Sequence, residues 1–236
     1  MEVLVRDELE PCVYLDERQA RLPLRWQLRP VRGAAFDDML TMGDRRVGKA
    51  MYRPSCPGCR ACETIRVPVD GFQPSRSQRR VWARGQRELQ VELCGPSLSA
   101  DHVALFNRHR LLRNLARREG AMGASGYDAW LVQTCCETVE IRYKRGEQLV
   151  AVAITDLGAT AASAVYTYFD PEHGDLSPGT YSVLWQIAWA RQLGLRHLYL
   201  GLYIAGNQHM TYKVRFLPHE RRPAGEPVPP WELFER

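Results

Sequence analysis

The amino-acid sequence predicts a mixed α/β (α+β) fold, and two features of the chain support this prediction. From about residue 97, the residue pattern is that of a helix, three strands, a second helix and a further strand. Before residue 63, proline and glycine interrupt the chain and no long amphipathic period is present. Because hydrophobic periodicity is the main signal of secondary structure, we expect residues 1–62 to be irregular.

Three elements are predicted between residues 63 and 94. The stretch ETIRVPV (63–69) alternates β-branched with polar side chains, which predicts a strand. A short helix is expected over SRSQRRVWAR, with Ser75 or Ser77 as its N-cap and Gly85 as its end. The stretch ELQVELC (88–94) predicts another strand.

Longer elements follow in the second half of the chain. The stretch SLSADHVALFNRHRLLRNLARREG predicts a helix with Ser99 as its cap and Gly120 as its end. VEIRYKRGEQLVAVAITDLGATAASAVYTYF predicts three antiparallel strands with tight turns at Gly146 and Gly158. PGTYSVLWQIAWARQLG predicts a largely buried helix, and HLYLGLYI a final buried strand. We expect the proline-rich tail from residue 218 to wrap around the surface or to be partly disordered.

This element order is compatible with an acetyltransferase-like fold, in which an antiparallel meander leads into a helix whose N-terminus faces an acyl donor. Order alone leaves other α/β folds open.

The composition indicates a globular protein of the cytoplasm. The 236 residues suffice for one large domain or two small ones. No apolar run reaches the roughly 18 residues of a membrane helix, and the first residues lack the regions of a signal peptide. Seven cysteines, an odd number, are not typical of a disulfide framework in a chain of this length. We therefore expect free thiols and no membrane partner.

Positive charge is concentrated between residues 76 and 118. This stretch contains ten arginines and three acidic residues, whereas the whole chain has a formal net charge of +5. Such asymmetry predicts a polyanionic partner, because phosphates that bind arginine release their counterions. A solvated arginine-rich face is the alternative, and the pattern does not distinguish RNA from DNA. The candidate nucleic-acid contacts are Arg80, Arg84, Arg110, Arg113 and Arg117.

Three cysteines lie three residues apart in the stretch YRPSCPGCRAC. The spacing of Cys56, Cys59 and Cys62 is that of metal ligands. A structural zinc or iron–sulfur site usually requires four ligands, and the sequence offers no second Cys-x-x-Cys pair. Buried thiols without a metal are the alternative. The sequence leaves a bound metal or iron–sulfur cluster open.

Several stretches together resemble the aminoacyl-tRNA–protein transferases, and within them the bacterial leucyltransferases. They are YRPSCPGCRAC…IRVPV, FQPSRSQRR, LVAVAITDLG…SAVYTYFDP, GTYSVLWQIAWARQLGLRHLYLG and MTYKVRFLP, in the family's order from about residue 12 to 220. The resemblance implies a cytoplasmic enzyme that joins leucine from leucyl-tRNA to proteins with N-terminal Asp or Glu. It also implies a role in the N-degron route of protein degradation, with no required cofactor. The same resemblance implies a smaller N-terminal domain with the cysteine cluster, which we place in residues 1–95. This domain is expected to pack on an acetyltransferase-like (GNAT-like) C-terminal domain, which we place in residues 96–236.

The implied reaction is the attack of a protein α-amino group on an aminoacyl ester, which is already activated. No enzyme nucleophile is needed, and we expect the positioning of the two substrates to dominate catalysis. Asp170 is the candidate that accepts the proton, and Tyr166 and Tyr168 alternate on one face of the preceding strand. Asp170 also precedes a proline, a pair that is typical of the start of a turn.

The acceptor end of tRNA needs a phosphate-binding element. Ser177, Gly179 and Thr180 lie where the long buried helix is predicted to begin. The free amides and the dipole of a helix start attract phosphate. An ordinary helix start without a ligand is the alternative.

The acceptor protein and the donor leucine need binding groups as well. Arg76, Arg79 and Lys213 are candidates for binding the acidic side chain of the acceptor, because each lies in a matching motif. Met210 is a candidate for contact with the donor leucine, and Tyr212 for substrate binding. Surface or core positions without function are the alternatives.

Three other functions stay open at this point. The arginyl-tRNA version of the same reaction is one, because His209 and its neighbourhood depart from the family pattern. A metal- or nucleic-acid-binding module without catalysis is the second. The third is an acetyltransferase that uses acetyl-coenzyme A, although the chain lacks a clear glycine-rich pyrophosphate loop.

Overall fold

An eight-stranded mixed sheet is the centre of the computed structural model, which describes residues 1–116, 120–225 and 227–235. The strands are β1 (Glu2–Arg6), β2 (Leu9–Pro11), β3 (Gln19–Arg21), β4 (Leu24–Gln27), β5 (Arg45–Val47), β6 (Ala50–Tyr52), β7 (Glu63–Pro68), β8 (Gln90–Cys94), β9 (Glu137–Arg145), β10 (Gln148–Leu157), β11 (Ala161–Phe169), β12 (His197–Tyr203), β13 (His219–Pro223) and β14 (Glu232–Phe234). The helices are α1 (Ala34–Met42), α2 (Arg76–Glu88), α3 (Ala100–Leu112), α4 (Ala124–Tyr127) and α5 (Pro178–Gln192). Shorter helical segments are the π-helical turn Asp128–Val132 and the 3-10 helices Pro171–Leu176 and Thr211–Arg215.

The central sheet has the strand order β14-β13-β7-β12-β11-β10-β9-β8. The strands β11 and β12 are parallel and are connected by α5, whereas the other neighbours are antiparallel. The predicted meander with turns at Gly146 and Gly158 is confirmed as β9, β10 and β11. The predicted strands at β7, β8 and β12 and the predicted long helix α5 are confirmed as well.

Helices cover both faces of the sheet. On β10, Ala151 and Ala153 belong to the same buried cluster as Tyr181 of α5 and Leu176, which ends the preceding 3-10 helix. Val152 and Ile154 point to the opposite face and pack with Phe106 of α3. Successive side chains of a strand alternate between the two faces, so this central strand is apolar on both sides. The fold is therefore mixed α/β, as predicted.

The helix α2 begins as predicted but does not end at Gly85. Ser75 caps it, and the side chain of Gln78 binds back to the backbone of Ser75 in a capping box. Gly85 lies inside the helix, where an added Cβ atom would lie 2.2 Å from the ring of Tyr181 on α5. The predicted stop was wrong because this glycine permits close helix packing and does not terminate the helix.

The helix α3 begins after Ser99 as predicted but ends at Leu112, not at Gly120. Arg113 is its C-cap, and Asn114 adopts a left-handed conformation with φ 54°. The prediction was wrong because apolar and basic residues that favour a helix continue beyond this turn.

The predictions for the two ends of the chain were also wrong. The first 62 residues contain α1, a four-stranded sheet of order β1-β4-β6-β5 and the hairpin β2-β3. These strands are only three to five residues long, too short for a clear period. The tail supplies β13 and β14 to the central sheet, so β12 is not the final strand. The boundary predicted at residue 95 stays a prediction, and β7 and β8 belong to the central sheet.

Candidate active site

The parallel strands β11 and β12 diverge after a short paired segment. They pair only from Ala161 opposite His197 to Ser163 opposite Tyr199. At this point β11 has an extra residue, Val165, relative to β10, and the pairing of β12 with β7 also shifts between Tyr199 and Leu202. Bulges bend and twist strands, and ligands of open α/β sheets bind beyond the carboxyl ends of parallel strands. The opening between the two strand ends is therefore the candidate active site.

The start of α5 lies directly after β11, at this opening. The chain passes through the 3-10 helix Pro171–Leu176 and enters α5 at Ser177, which has φ 50° and no side-chain cap bond. Gly179 approaches the ring of Phe169 so closely that an added Cβ atom would lie 3.1 Å from it. The amides of Gly179 and Thr180 belong to the first turn, whose N–H groups have no partner within a helix. The predicted phosphate-binding segment thus lies at the strand ends.

Arginines from two helices flank the turn between β11 and α5. From one side, Arg84 of α2 donates to the carbonyl oxygen of Asp175. From the other side, Arg108 of α3 pairs with Asp170 at 3.1 Å and also with Glu172. The basic stretch of the sequence is therefore divided between two helices that meet at one loop.

Two further arginines of α3 lie beside the end of β11. The guanidinium of Arg113 lies 5.1 Å from the ring centre of Phe169, and that of Arg110 lies 5.3 Å from the ring centre of Phe106. Arg110 is buried, whereas Arg113 is exposed. The structure therefore places these two predicted contacts at the opening.

The remaining predicted tRNA contacts are less defined. Arg80 is exposed on α2, one turn before Arg84. Arg117 lies outside the described residues, so its place in a stripe with Arg110 and Arg113 stays a prediction.

Asp170 stabilises the turn that follows β11. Its Oδ1 atom accepts a hydrogen bond from the amide of Glu172 at 3.0 Å and lies 3.1 Å from Nε of Arg108. The side chain is buried. The turn role that the Asp-Pro pair indicated is confirmed, and the role of Asp170 as a base stays a prediction.

The two tyrosines of β11 lie on one face, as predicted, but in different surroundings. The hydroxyl of Tyr168 lies 2.5 Å from that of Tyr127, and burial raises the pKa of Tyr168. Tyr166 lies beside Arg110 and Arg113, which oppose the effect of burial on its phenol; the pKa of Tyr166 is raised to about 12. Tyr166 is thus the one that lies among the site arginines, and Tyr168 is occupied in the core.

Lys213 lies at the end of β12. Its Nζ atom donates to the carbonyl oxygen of Leu202 at 2.5 Å, and only 9% of the residue is exposed. Burial, and after it the positive charge of Arg45, lowers the pKa of Lys213 to about 7. In the same motif, Met210 is half-buried and Tyr212 is 41% exposed.

The segments that carry Arg76, Arg79 and Lys213 meet in the structure. The side chain of Gln78 donates from Nε2 to the carbonyl oxygen of Arg215 at 3.0 Å, which joins the start of α2 to the 3-10 helix of Lys213. Arg76 and Arg79 are both exposed on the first turn of α2. The two motifs are adjacent, but Lys213 is buried and the two arginines face solvent.

Sequence reasoning missed a histidine at the site. The Nδ1 atom of His109 lies 3.0 Å from the carbonyl oxygen of Phe169. Burial and the charge of Arg113 lower the pKa of His109 to about 4, so its ring is neutral at pH 7. The available signal was helical spacing, because His109 precedes Arg113 by four residues and shares its face.

The cysteines form a cluster that includes one more member than the sequence indicated. Burial, and then the neighbouring thiols of Cys56, Cys12 and Cys59, raises the pKa of Cys62 to about 12. A pocket of about 320 Å³ beside them is lined by Cys12, Cys56 and Cys62. Within residues 1–116, 120–225 and 227–235, no group of three His, Cys, Asp or Glu side chains is arranged to hold a metal ion.

In the same ranges, every helix is too short or too polar to cross a membrane.

Comparisons with known proteins extend over most of the chain. The family described as "Arginine-tRNA-protein transferase, C terminus" matches residues 101–222, and the corresponding N-terminus family matches residues 10–80. An aspartate/glutamate leucyltransferase of Halorhodospira halophila is 39% identical over 222 residues, which are 92% of each chain. One from Stenotrophomonas maltophilia is 40% identical and covers 89% of this chain and 86% of its own.

A solved structure has a similar fold. It is the C-terminal domain of an Agrobacterium fabrum protein described as a lysylphosphatidylglycerol synthetase, with a TM-score of 0.53 and 14% identity. The similarity covers 74% of this chain and 59% of that one. At this identity, the comparison concerns the fold alone.

Proposed function

Since this chain belongs to the aspartate/glutamate leucyltransferases, we propose that it transfers leucine from leucyl-tRNA to the N-terminal Asp or Glu of acceptor proteins. The observation that carries the proposal is the convergence of arginines from α2 and α3 on the start of α5, where β11 and β12 diverge. This arrangement suits the phosphates of a tRNA acceptor end beside an opening for the two reacting groups.

The reaction is the exchange of an ester for a peptide bond. The α-amino nitrogen of the acceptor attacks the ester carbonyl carbon, the bond from this carbon to the ribose oxygen breaks, and the ribose hydroxyl is released. The nitrogen loses a proton, and the ribose oxygen gains one. Since the ester is already activated, positioning can provide about 7 to 11 kcal/mol of the barrier reduction.

The phosphate end of the donor is assigned to the start of α5. The amides of Gly179 and Thr180 and the left-handed turn at Ser177 form the end that attracts anions. Arg84 and Arg113 flank it from two helices. The tRNA body is assigned to the exposed Arg80 and, by sequence, to Arg117, with the buried Arg110 behind Arg113 at the end of α3.

The reacting groups are assigned to the space between the strand ends. Tyr166 lies beside the arginines and is the tyrosine in position to contact the ester, whereas Tyr168 supports it from the core. Asp170 is the candidate for the proton, and its pair with Arg108 holds the carboxylate in place. Arg76, Arg79 and Lys213 are candidates for the acceptor side, with Met210 and Tyr212 beside the donor leucine.

Leucine is favoured over arginine as the donor by the charges at the opening. The carboxylates at the end of β11, Asp170 and Glu172, both pair with Arg108. Arg110 and Arg113 would repel the guanidinium of a donor arginine. Because leucyl-tRNA is the proposed donor, we place the reaction in the cytoplasm, as the sequence predicts.

The finer fold assignment is part of the proposal. An acetyltransferase-like C-terminal domain in residues 96–236 is supported by the divergent parallel strands, the bulge in β11 and the connecting helix α5. A smaller N-terminal domain in residues 1–95, packed on it, is supported by the separate four-stranded sheet and the cysteine cluster.

A transfer assay tests the proposed function. The full chain is mixed with labelled leucyl-tRNA or arginyl-tRNA and with peptides that begin with Asp, Glu, Asn or Lys. Leucine transfer to the Asp and Glu peptides is expected. Transfer of arginine would identify arginyl-tRNA as the donor in place of leucyl-tRNA. A lack of transfer from either tRNA would contradict the proposal.

A further inference from the structure

A second pocket, of about 330 Å³, lies between the turn after α1 and the ends of β12 and β13. Arg53 and Arg222 contribute to its wall, with Thr64 and Leu202. The pocket is open to solvent at the protein surface, so a side chain of another molecule can enter it. Neither of its arginines was assigned a role by the sequence or by the proposed function.

Arg222 is a buried cation without an acidic partner in the described part of the chain. Only 6% of the residue is exposed. Its guanidinium lies 4.7 Å from the ring centre of Trp231, and no carboxylate among the described residues forms a salt bridge with it. Burial of a charge is costly unless a counter-charge or hydrogen bonds compensate for it. A bound anion would supply that compensation.

The charges around the pocket are mostly positive. The carboxylate of Asp44 lies beside the pocket and already accepts a hydrogen bond from Arg25. It also accepts two from Arg53, at 3.2 Å from Nε and 2.8 Å from Nη2. Arg45 is buried as well and donates to two backbone carbonyl oxygens, those of Asp44 at 2.7 Å and Gly201 at 2.8 Å. The described carboxylates therefore leave the positive charge of Arg222 unneutralised.

The pocket adjoins the candidate active site. Leu202 lines the pocket, and its carbonyl oxygen accepts the hydrogen bond from Lys213. An acidic side chain that enters the pocket towards Arg222 therefore lies on the same strand end, β12, that borders the opening beside β11.

We infer that this pocket binds the side-chain carboxylate of the acceptor's N-terminal Asp or Glu, with Arg222 as the residue that determines acidic specificity. The inference rests on the proposed function and names the acceptor site of the same reaction. The guanidinium fork of arginine matches a carboxylate in a bidentate arrangement, which an uncharged Asn or Gln side chain does not reproduce. Arg222 is then a candidate for carboxylate binding in addition to the predicted Arg76, Arg79 and Lys213.

The test compares acceptor peptides that differ only in charge. For wild type and for Arg222→Lys and Arg222→Ala, kcat/KM for leucine transfer is measured with two peptides that begin with Asp and with Asn. We expect wild type to prefer Asp, and Arg222→Ala to lose this preference by roughly 10- to 150-fold, the effect of one charge-assisted hydrogen bond. Arg222→Lys keeps the positive charge but lacks the guanidinium geometry, and we expect it to lose part of the preference for the Asp peptide.

A structural role of Arg222 would lower transfer to both peptides alike and leave the ratio unchanged, which would overturn the inference. If Arg222→Ala does not fold, as judged by its thermal unfolding, the ratio in Arg222→Lys decides. The control is Arg29→Ala, which removes an exposed arginine that does not line the pocket and is expected to keep the wild-type ratio.

Binding separates this inference from the proposed function. The same two peptides are titrated into wild type and Arg222→Lys without tRNA, by calorimetry. If wild type transfers no leucine, it can still bind the Asp peptide more tightly than the Asn peptide, while Arg222→Lys binds the two more equally. This result would support carboxylate binding in the pocket and contradict the proposed transfer reaction. Equal binding of both peptides by wild type would overturn the pocket.

Discussion

Lys213 and Leu202 join the 3-10 helix Thr211–Arg215 to the end of β12, through a hydrogen bond of 2.5 Å from Nζ to the carbonyl oxygen. The ammonium group of Lys213 is buried away from water and lies near a second cation, Arg45. Both effects lower the pKa of Lys213, to about 7. The hydrogen bond holds this 3-10 helix against the end of β12, one of the two strand ends that border the candidate site. It also links the stability of the protein to pH.

We expect the unfolding free energy to rise between pH 7 and 10.5 because Lys213 is buried. The cost of burying its positive charge disappears as the side chain loses its proton. The folded pKa of about 7 lies below the ordinary value of 10.5, so the unfolded chain binds more protons between these values. Unfolding free energy then increases with pH. Wild type and Lys213→Met, compared by denaturant unfolding at pH 7.5 and 9.5, should differ in this increase by up to about 2 kcal/mol. Equal increases in both proteins would contradict the lowered pKa.

Gly85→Ala should destabilise the protein although alanine favours a helix. The new methyl group would lie 2.2 Å from the ring of Tyr181. Overpacking typically costs about 1 to 3 kcal/mol, more than the gain of about 1 kcal/mol in helix propensity. Thermal and urea unfolding measure the change. Gly95→Ala is the matched control, since nothing lies within 4 Å of its added Cβ atom. A stabilised Gly85→Ala variant would show that α2 and α5 are packed less closely.

Removal of Arg84 or Arg113 should weaken tRNA binding and lower its salt dependence. Each lies beside the start of α5, one on α2 and the other at the end of α3. The slope of log K against log salt concentration should fall by about 0.7 to 0.9 for each phosphate that is no longer neutralised. Binding of leucyl-tRNA to Arg84→Gln, Arg113→Gln and the exposed control Arg29→Gln is measured between 50 and 200 mM salt, roughly the range in which this effect is large. Unchanged slopes in the first two variants would remove these arginines from the tRNA surface.

The role of Asp170 as a base can be separated from its turn. Asn at the same position can still accept the amide of Glu172, so Asp170→Asn keeps the cap and loses the charge. General-base catalysis contributes typically 10² to 10⁴-fold, so kcat should fall by roughly that factor. Arg108→Gln removes the same ion pair without altering the carboxylate. A loss in Asp170→Asn no larger than that in Arg108→Gln would assign Asp170 to the turn alone.

The elements predicted from the sequence are those with long periods or defined turns. The meander between residues 137 and 169 has apolar runs and glycine turns, and α5 has a continuous apolar surface, so local pattern sufficed for both. The strands of the first 62 residues are three to five residues long and take their place from neighbours distant in the chain. Contacts with distant parts of the chain determine where these strands form, and the local sequence has no pattern that predicts them.

The site was predicted in part for the same reason. The stretch of arginines indicated a polyanion, and its members Arg84 and Arg113 do lie at one loop. That they converge on the start of α5 depends on packing between helices. Arg222 lies in a tail that the sequence indicated to be irregular, and its burial against Trp231 is a long-range property of β13 and the tail. The pair Arg221-Arg222 does not reveal from the sequence which of the two is buried.

The position of β7 affects how the chain reaches its native state. This strand, from residues 63–68, lies between β12 and β13, which are formed by residues 197–203 and 219–223. Pairing over such sequence distances has a high contact order, and chains of high contact order fold slowly. During synthesis, β7 is exposed without its partners until more than two-thirds of the chain has emerged, and the edge of an unpaired strand is a site of aggregation. The central sheet can therefore be completed only near the end of translation, and a chaperone that shields strand edges has its greatest effect before that point.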